Sequence, residues 1–174
     1  MKISTLAACG ALLLATTAAA HAADVNDAQI AAIVVTANQV DVDAGKLAAA
    51  TTANAEVKKF AELMVTDHTA VNKSAVDLVT RLGVKPEDNP TAQSLAADGS
   101  KHVAYLHTLH GDAFDRAYVK REVEYHQQVL DAVDKVLIPN ASNAELKALL
   151  VKVRPAFVAH LEHAKQVQQG LPKG

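Results

Sequence analysis

The chain has 174 residues, with 17 basic and 19 acidic side chains, eight histidines and one cysteine. Its nearly balanced charge, and the lack of a basic patch interleaved with aromatics, exclude a nucleic-acid-binding surface. With three Phe, three Tyr and no Trp, the interior must be built from Ala, Val and Leu, which favours close-packed helices over a sheet.

The start of the chain reads as an export signal. Lys2 supplies a positive charge, residues 3–15 form an apolar run, and Ala20-His21-Ala22 places small residues at the positions a signal peptidase reads. Cleavage is expected after Ala22, leaving a single periplasmic domain over residues 23–174. Leu6-Ala7-Ala8-Cys9 is like a lipoprotein-processing pattern, but the strongest apolar run, residues 12–14, follows Cys9, so a lipid anchor there is the minor reading. Removing residues 1–22 leaves no cysteine, and 16 basic against 19 acidic side chains, a net charge of −3. No transmembrane helix is expected in the mature chain; association with the cell envelope stays open, as does the oligomeric state.

Apolar residues recur every three or four positions throughout, the period of a helix packed on one face. A first helix is predicted over residues 27–51, with Ile30, Ile33, Ala37, Val40, Ala44 and Leu47 on its stripe. A second starts at Asn54, a good N-cap. Its stripe carries Val57, Phe60, Met64, His68, Ala75 and Leu78, and Gly83 ends it. The long connection to residue 111 contains a short helix over about residues 101–109. A third long helix begins near Asp112, carries Phe114, Tyr118, Glu122, Tyr125, His126 and Val129, and is stopped by Pro139. The fourth opens on a capping box formed by Ser142 and Glu145. Its stripe runs through Leu146, Leu149, Val153, Phe157, His160, Leu161 and Ala164, and Pro155 should bend it. Two short-linked hairpins joined by a long connection give an all-α, ferritin-like four-helix bundle whose second-to-third helix crossover contains the short helix. A simple up-down bundle is the alternative.

Polar residues on these apolar stripes carry the functional signal. His68, His126 and His160 lie on three different helices. Glu122 precedes His126 by one turn, Tyr118 precedes Glu122 by one turn, and Met64 precedes His68 by one turn. Asp67 adjoins His68, and Asp41 lies beside Val40 at the edge of the first stripe. At about 1.5 Å per residue, Asp41 and His68 are level within one hairpin, and Glu122 and His160 are level within the other. Imidazole and carboxylate donors together suit iron, zinc, manganese or copper. The candidate ligands are therefore His68, His126, His160, Glu122 and Asp41, with Asp67 orienting His68 and with Tyr118 and Met64 nearby. Equally, each buried imidazole needs a polar partner, and the same histidines would serve a purely structural core. Whether the two hairpins dock at matching heights is not legible in the sequence.

Other patterns point away from familiar chemistry. The usual di-iron signature sets a Glu and a His three apart on each of two helices. Here Glu122 and His126 are four apart, and no Glu precedes His68 at that spacing. His102, His107 and His110 fall on the short helix and its end, and read as solvated residues or a weak surface metal site. Beyond residue 22 there is no Ser-His-Asp order, phosphate-binding glycine loop or Cys-x-x-Cys motif.

Several segments together resemble a bacterial family, the domain of unknown function DUF4142. Asp41-Val42-Asp43-Ala44-Gly45-Lys46-Leu47-Ala48 is similar to its Glu-Val-Glu-x-Gly-Lys-Leu-Ala segment. Phe60-Ala61-Glu62-Leu63-Met64-Val65-Thr66-Asp67-His68 resembles its Phe-Ala-x-x-Met-x-x-Asp-His segment. The stretch from Gly111 to Tyr118 with His126, and Arg154-Pro155 with His160-Leu161, resemble its later motifs. The resemblance implies a ferritin-like helical bundle in an exported bacterial protein and supplies no activity. Asp stands at positions 41 and 43 where the family usually has the longer Glu, which bears on a ligand role for the first helix. The leading expectation is a non-enzymatic envelope protein holding a transition metal between its helices. A structural or stress-related interaction module and a metal-dependent redox or hydrolytic enzyme are the alternatives.

Overall fold

The computed structural model describes residues 25–173; the expected leader, its cleavage site after Ala22 and the Cys9 pattern lie outside the described residues. The described chain is all-helical: α1 Asp27–Thr51, α2 Ala55–Arg81, α3 Pro90–Leu106, α4 Gly111–Ala132 and α5 Ala144–Gly170. Past α4 the chain stays helical through a π-turn, Val133–Leu137, and a last turn, Ile138–Asn140. None of these helices is long and apolar enough to cross a membrane.

Local chemistry explains where the helices start and stop. Asn26 and Gln29 cap α1 reciprocally: the Asn26 side chain accepts from Gln29 N at 2.9 Å, and the Gln29 side chain accepts from Asn26 N at 3.2 Å. Asn54 caps α2 as expected, accepting from Glu56 N and Val57 N. Gly83 ends α2 at φ 66°. Its N–H bonds to Thr80 O and that of Val84 bonds to Val79 O, so two terminal carbonyls that the helix leaves free are satisfied.

Three expectations about these ends need correction. The crossover helix is not a short one over residues 101–109; it begins at Pro90, behind the N-cap Asn89, whose side chain accepts from Ala92 N at 3.0 Å. Its buried residues are Ala92, Gly99 and Leu106, seven apart and two of them small, so hydropathy hides its stripe. The cap of α5 is Asn143 rather than Ser142, its side chain accepting from Glu145 N and Leu146 N. Pro139 does not stop the helix at once. The wide π-turn before it sends the Ile138 N–H to Val133 O and makes room for a ring that would otherwise meet a carbonyl one turn back. Pro155 lies inside an unbroken α5.

Contacts between helix ends fix the directions. The Asp27 carboxylate at the start of α1 accepts from Ser142 N and Asn143 N at the α4–α5 connection, both at 2.9 Å. At the far end of α1, Thr52 Oγ1 donates to Asp115 Oδ1 at 2.6 Å, near the start of α4. Arg81, at the end of α2, meets Glu145 at the start of α5 at 2.7 Å. The segment leading into α3 bonds back to the start of α1, through Glu87 N to Ala28 O at 3.0 Å. So α1 and α5 run one way, α2 and α4 run the other, and α3 travels back along α1 between them.

The core falls into two apolar blocks. One gathers Ile30, Ile33, Leu78, Leu130, Leu146, Leu150 and Phe157. The other gathers Ala44, Val57, Phe60, Met64, Phe114, Tyr118 and Val167. Gly45 lets α1 and α2 come close beside the second block: a Cβ there would lie 3.0 Å from Ala61 O. Between the blocks lie buried polar residues of α1, α2, α4 and α5, and this layer is the candidate site.

Candidate metal centre

Six buried polar side chains make up the layer: Asn38 and Asp41 from α1, His68 from α2, Glu122 and His126 from α4, and His160 from α5. The hairpins therefore dock at matching heights, and all five candidate ligands read from the sequence come together. Two donor sets form. His68, His126 and His160 offer nitrogens within 4.8 Å of one another, and Asp41, Glu122 and His126 do the same with oxygens and a nitrogen. His126 belongs to both. Neither set includes His102, His107 or His110; His107 and His110 are exposed.

Each ring is anchored through its outer nitrogen. His68 Nδ1 donates to Asn38 Oδ1 at 2.7 Å, with Asp41 Oδ2 at 3.4 Å from the same nitrogen. Asn38 is oriented for this because its Nδ2 donates to Val34 O at 2.7 Å. His126 Nδ1 donates to the Glu122 carbonyl at 3.0 Å and has Glu122 Oε2 at 3.4 Å. His160 Nε2 donates to Asp67 Oδ2 at 2.9 Å. In the neutral rings these bonds leave the other nitrogen of each as an acceptor. His68 Nε2 and His126 Nε2 then face each other at 3.4 Å, and His160 Nδ1 is buried with no hydrogen-bond partner among the described residues. The rings pack at centroid distances of 5.1 to 5.4 Å, and Phe157 stacks on His68 at 5.6 Å.

Two nitrogen acceptors at that separation require a positive centre between them, either a proton or a metal ion. Donors about 2.0–2.1 Å from a tetrahedral zinc stand roughly 3.3–3.4 Å apart, which matches the 3.4 Å between His68 and His126. The set holds imidazoles without thiolate, as zinc, copper and iron accept. The donor chemistry and the unpartnered buried nitrogen thus fit a metal ion.

Electrostatics arrange the same groups for proton sharing. Burial and then the charge of Glu122 raise the Asp41 carboxyl well above the usual carboxylate range. Burial works to lower the His126 pKa, but the Glu122 side chain and the charge of Asp41 outweigh it, and the imidazole is raised to about 9. Burial, followed by the charges of His126 and His160, pushes His68 well below the ordinary imidazole value. Burial also lowers His160, against the pull of Asp67. Without a metal, His126 therefore carries the proton at neutral pH and donates it toward His68 Nε2.

Several assignments change on this geometry. Asp67 orients His160, not His68, because adjacent residues on a helix point about 100° apart and Asp67 faces α5. Asp41 lies inside, at 3% exposure, while Val40 turns toward Gly99 of α3; the expected order of edge and stripe is reversed. Tyr118 partners no histidine. It is fully buried beside Phe60, its hydroxyl makes no hydrogen bond among the described residues, and burial raises its pKa, with Glu122 and Asp41 adding to the shift. Met64 sits in the apolar block one turn from His68. Asn38 was absent from the expected set, although a polar residue four after Val34 and three before Asp41 was a signal in the sequence.

The fold and this layer define an all-helical protein with a buried histidine–carboxylate centre. The model of the family described as Domain of unknown function (DUF4142) matches residues 13–167, and the chain belongs to that family. No curated protein and no solved structure matches it.

Proposed function

We propose that the protein binds one transition-metal ion at His68, His126 and His160. One observation carries the reading: each ring spends one nitrogen on an acceptor, while His68 Nε2 and His126 Nε2 face each other at 3.4 Å and His160 Nδ1 is buried without a partner among the described residues. Ligand histidines are held in this way, by a carboxylate or carbonyl behind the ring. Asn38, the Glu122 carbonyl and Asp67 fill that role here. Zinc, copper and iron suit the three imidazoles, and manganese suits the Asp41–Glu122–His126 set better, since it favours oxygen donors. The chain directions, with two hairpins and a connection that returns along the molecule, support a ferritin-like four-helix bundle with α3 as its crossover. The leader supports an exported, periplasmic protein made of one domain over residues 23–174.

A second reading has the 3.4 Å contact between His68 and His126 and the raised His126 pKa in its favour. In it a proton occupies the centre, and the histidines only hold the helices in register. Metal analysis separates the two. The mature protein is purified without a histidine tag, incubated with zinc, iron, manganese or copper in turn, dialysed and measured by mass spectrometry beside a His68/His126/His160 triple-alanine variant. Near-stoichiometric metal that disappears in the variant supports the metal centre. Absence of metal from the wild type after all four incubations leaves the proton-filled core.

A further inference from the structure

A cavity of about 110 Å³ runs beside the polar layer. Thr91 and Gln128, both exposed, stand at its mouth, and Asn38, Asp41 and His68 form its inner end. The wall between is apolar, with Val129, Leu150 and Phe157 on it. The space opens at the surface, and its wall is almost wholly apolar.

Water is a poor occupant. Of the polar groups at its inner end, Asn38 bonds at both ends of its amide, the Tyr125 hydroxyl donates to Ala37 O at 3.1 Å and His68 Nδ1 is held by Asn38, which leaves water the Asp41 carboxylate there. A buried water needs two to four polar partners, whereas dry apolar cavities of about 150 Å³ take up benzene or xenon. A space of 110 Å³ with an apolar wall suits a small molecule without charge. The inner end also has chemical meaning, because His68 belongs to the imidazole set and Asp41 to the carboxylate set.

We propose that this cavity binds a small, neutral, apolar molecule and brings it against His68 and Asp41. That the molecule there meets a metal rests on the preceding reading; its binding in the cavity does not. Xenon is the probe. The metal-free full-length mature protein is equilibrated with xenon at graded pressure, and methyl resonances are followed by NMR. The expected result is a saturable shift of the Val129, Leu137 and Leu150 methyls. Val129→Phe fills the space, so the Leu137 and Leu150 shifts should vanish while the metal content after zinc incubation stays that of the wild type. Weak, unsaturable shifts in the wild type, or Leu shifts that persist in Val129→Phe, overturn the proposal. Should Val129→Phe not fold, Leu150→Ala enlarges the cavity, and failure to bind xenon more tightly overturns it as well. Xenon bound by a wild type that holds no metal keeps this inference and sinks the metal centre; metal without xenon does the reverse.

Discussion

Asn38→Ala tests the centre through a residue that is not itself a ligand. Asn38 is 3% exposed and makes two 2.7 Å hydrogen bonds, one to Val34 O and one from His68 Nδ1. Each bond contributes about 1 kcal/mol net, and a buried donor left without a partner costs about 1–3 kcal/mol. Asp41 Oδ2, at 3.4 Å, takes over part of that duty. The metal-free variant should therefore lose about 2–3 kcal/mol. For a chain of this length the melting temperature should fall by roughly 4–12 °C. If His68 is a ligand, freeing its ring should also weaken zinc binding about 10- to 100-fold. Calorimetry gives the first quantity, and competition with a chromophoric chelator the second. Asn38→Asp keeps the accepting oxygen and should recover most of the affinity. A variant that melts early yet binds zinc as the wild type does would refute the argument that Asn38 holds a metal ligand.

Other outcomes follow from the same geometry. Phe157→Ala removes the ring stacked on His68 and opens the first apolar block, at a cost of about 3–5 kcal/mol that urea denaturation measures. Gly45→Val places methyls against Ala61 O, where even a Cβ reaches 3.0 Å; overpacking of this kind costs about 1–3 kcal/mol, again read by urea denaturation. Metal affinity should rise with pH up to about 9, the raised value of His126, because binding must displace its proton. Zinc titrations at several pH values should flatten in His126→Gln. In the metal-free protein the His126 contribution to stability is complete below the unfolded pKa near 6.5. It is lost as pH rises from there through about 9, so thermal melts across that window should show a fall that His126→Gln lacks.

Helices, their spacing and the polar intruders on their stripes are legible in the residues, because burial against one face imposes a repeat every three or four positions. That is why His68, Glu122, His126 and His160 stand out in the sequence alone, and why residues 27–51 match α1. The crossover helix is hidden there because it docks through Ala92, Gly99 and Leu106, and small residues carry almost no hydropathic signal. By hydropathy Asp41 falls at an edge, because Val40 is the more apolar neighbour; only the arrival of α3 decides that Val40 faces outward to Gly99. Adjacency gives Asp67 to His68, and only the position of α5 assigns it to His160. The sequence thus determined which residues could be buried and polar. The tertiary structure decided which of them meet, since hydrogen bonds and metal coordination depend on distances between helices, and no periodicity within one helix records those.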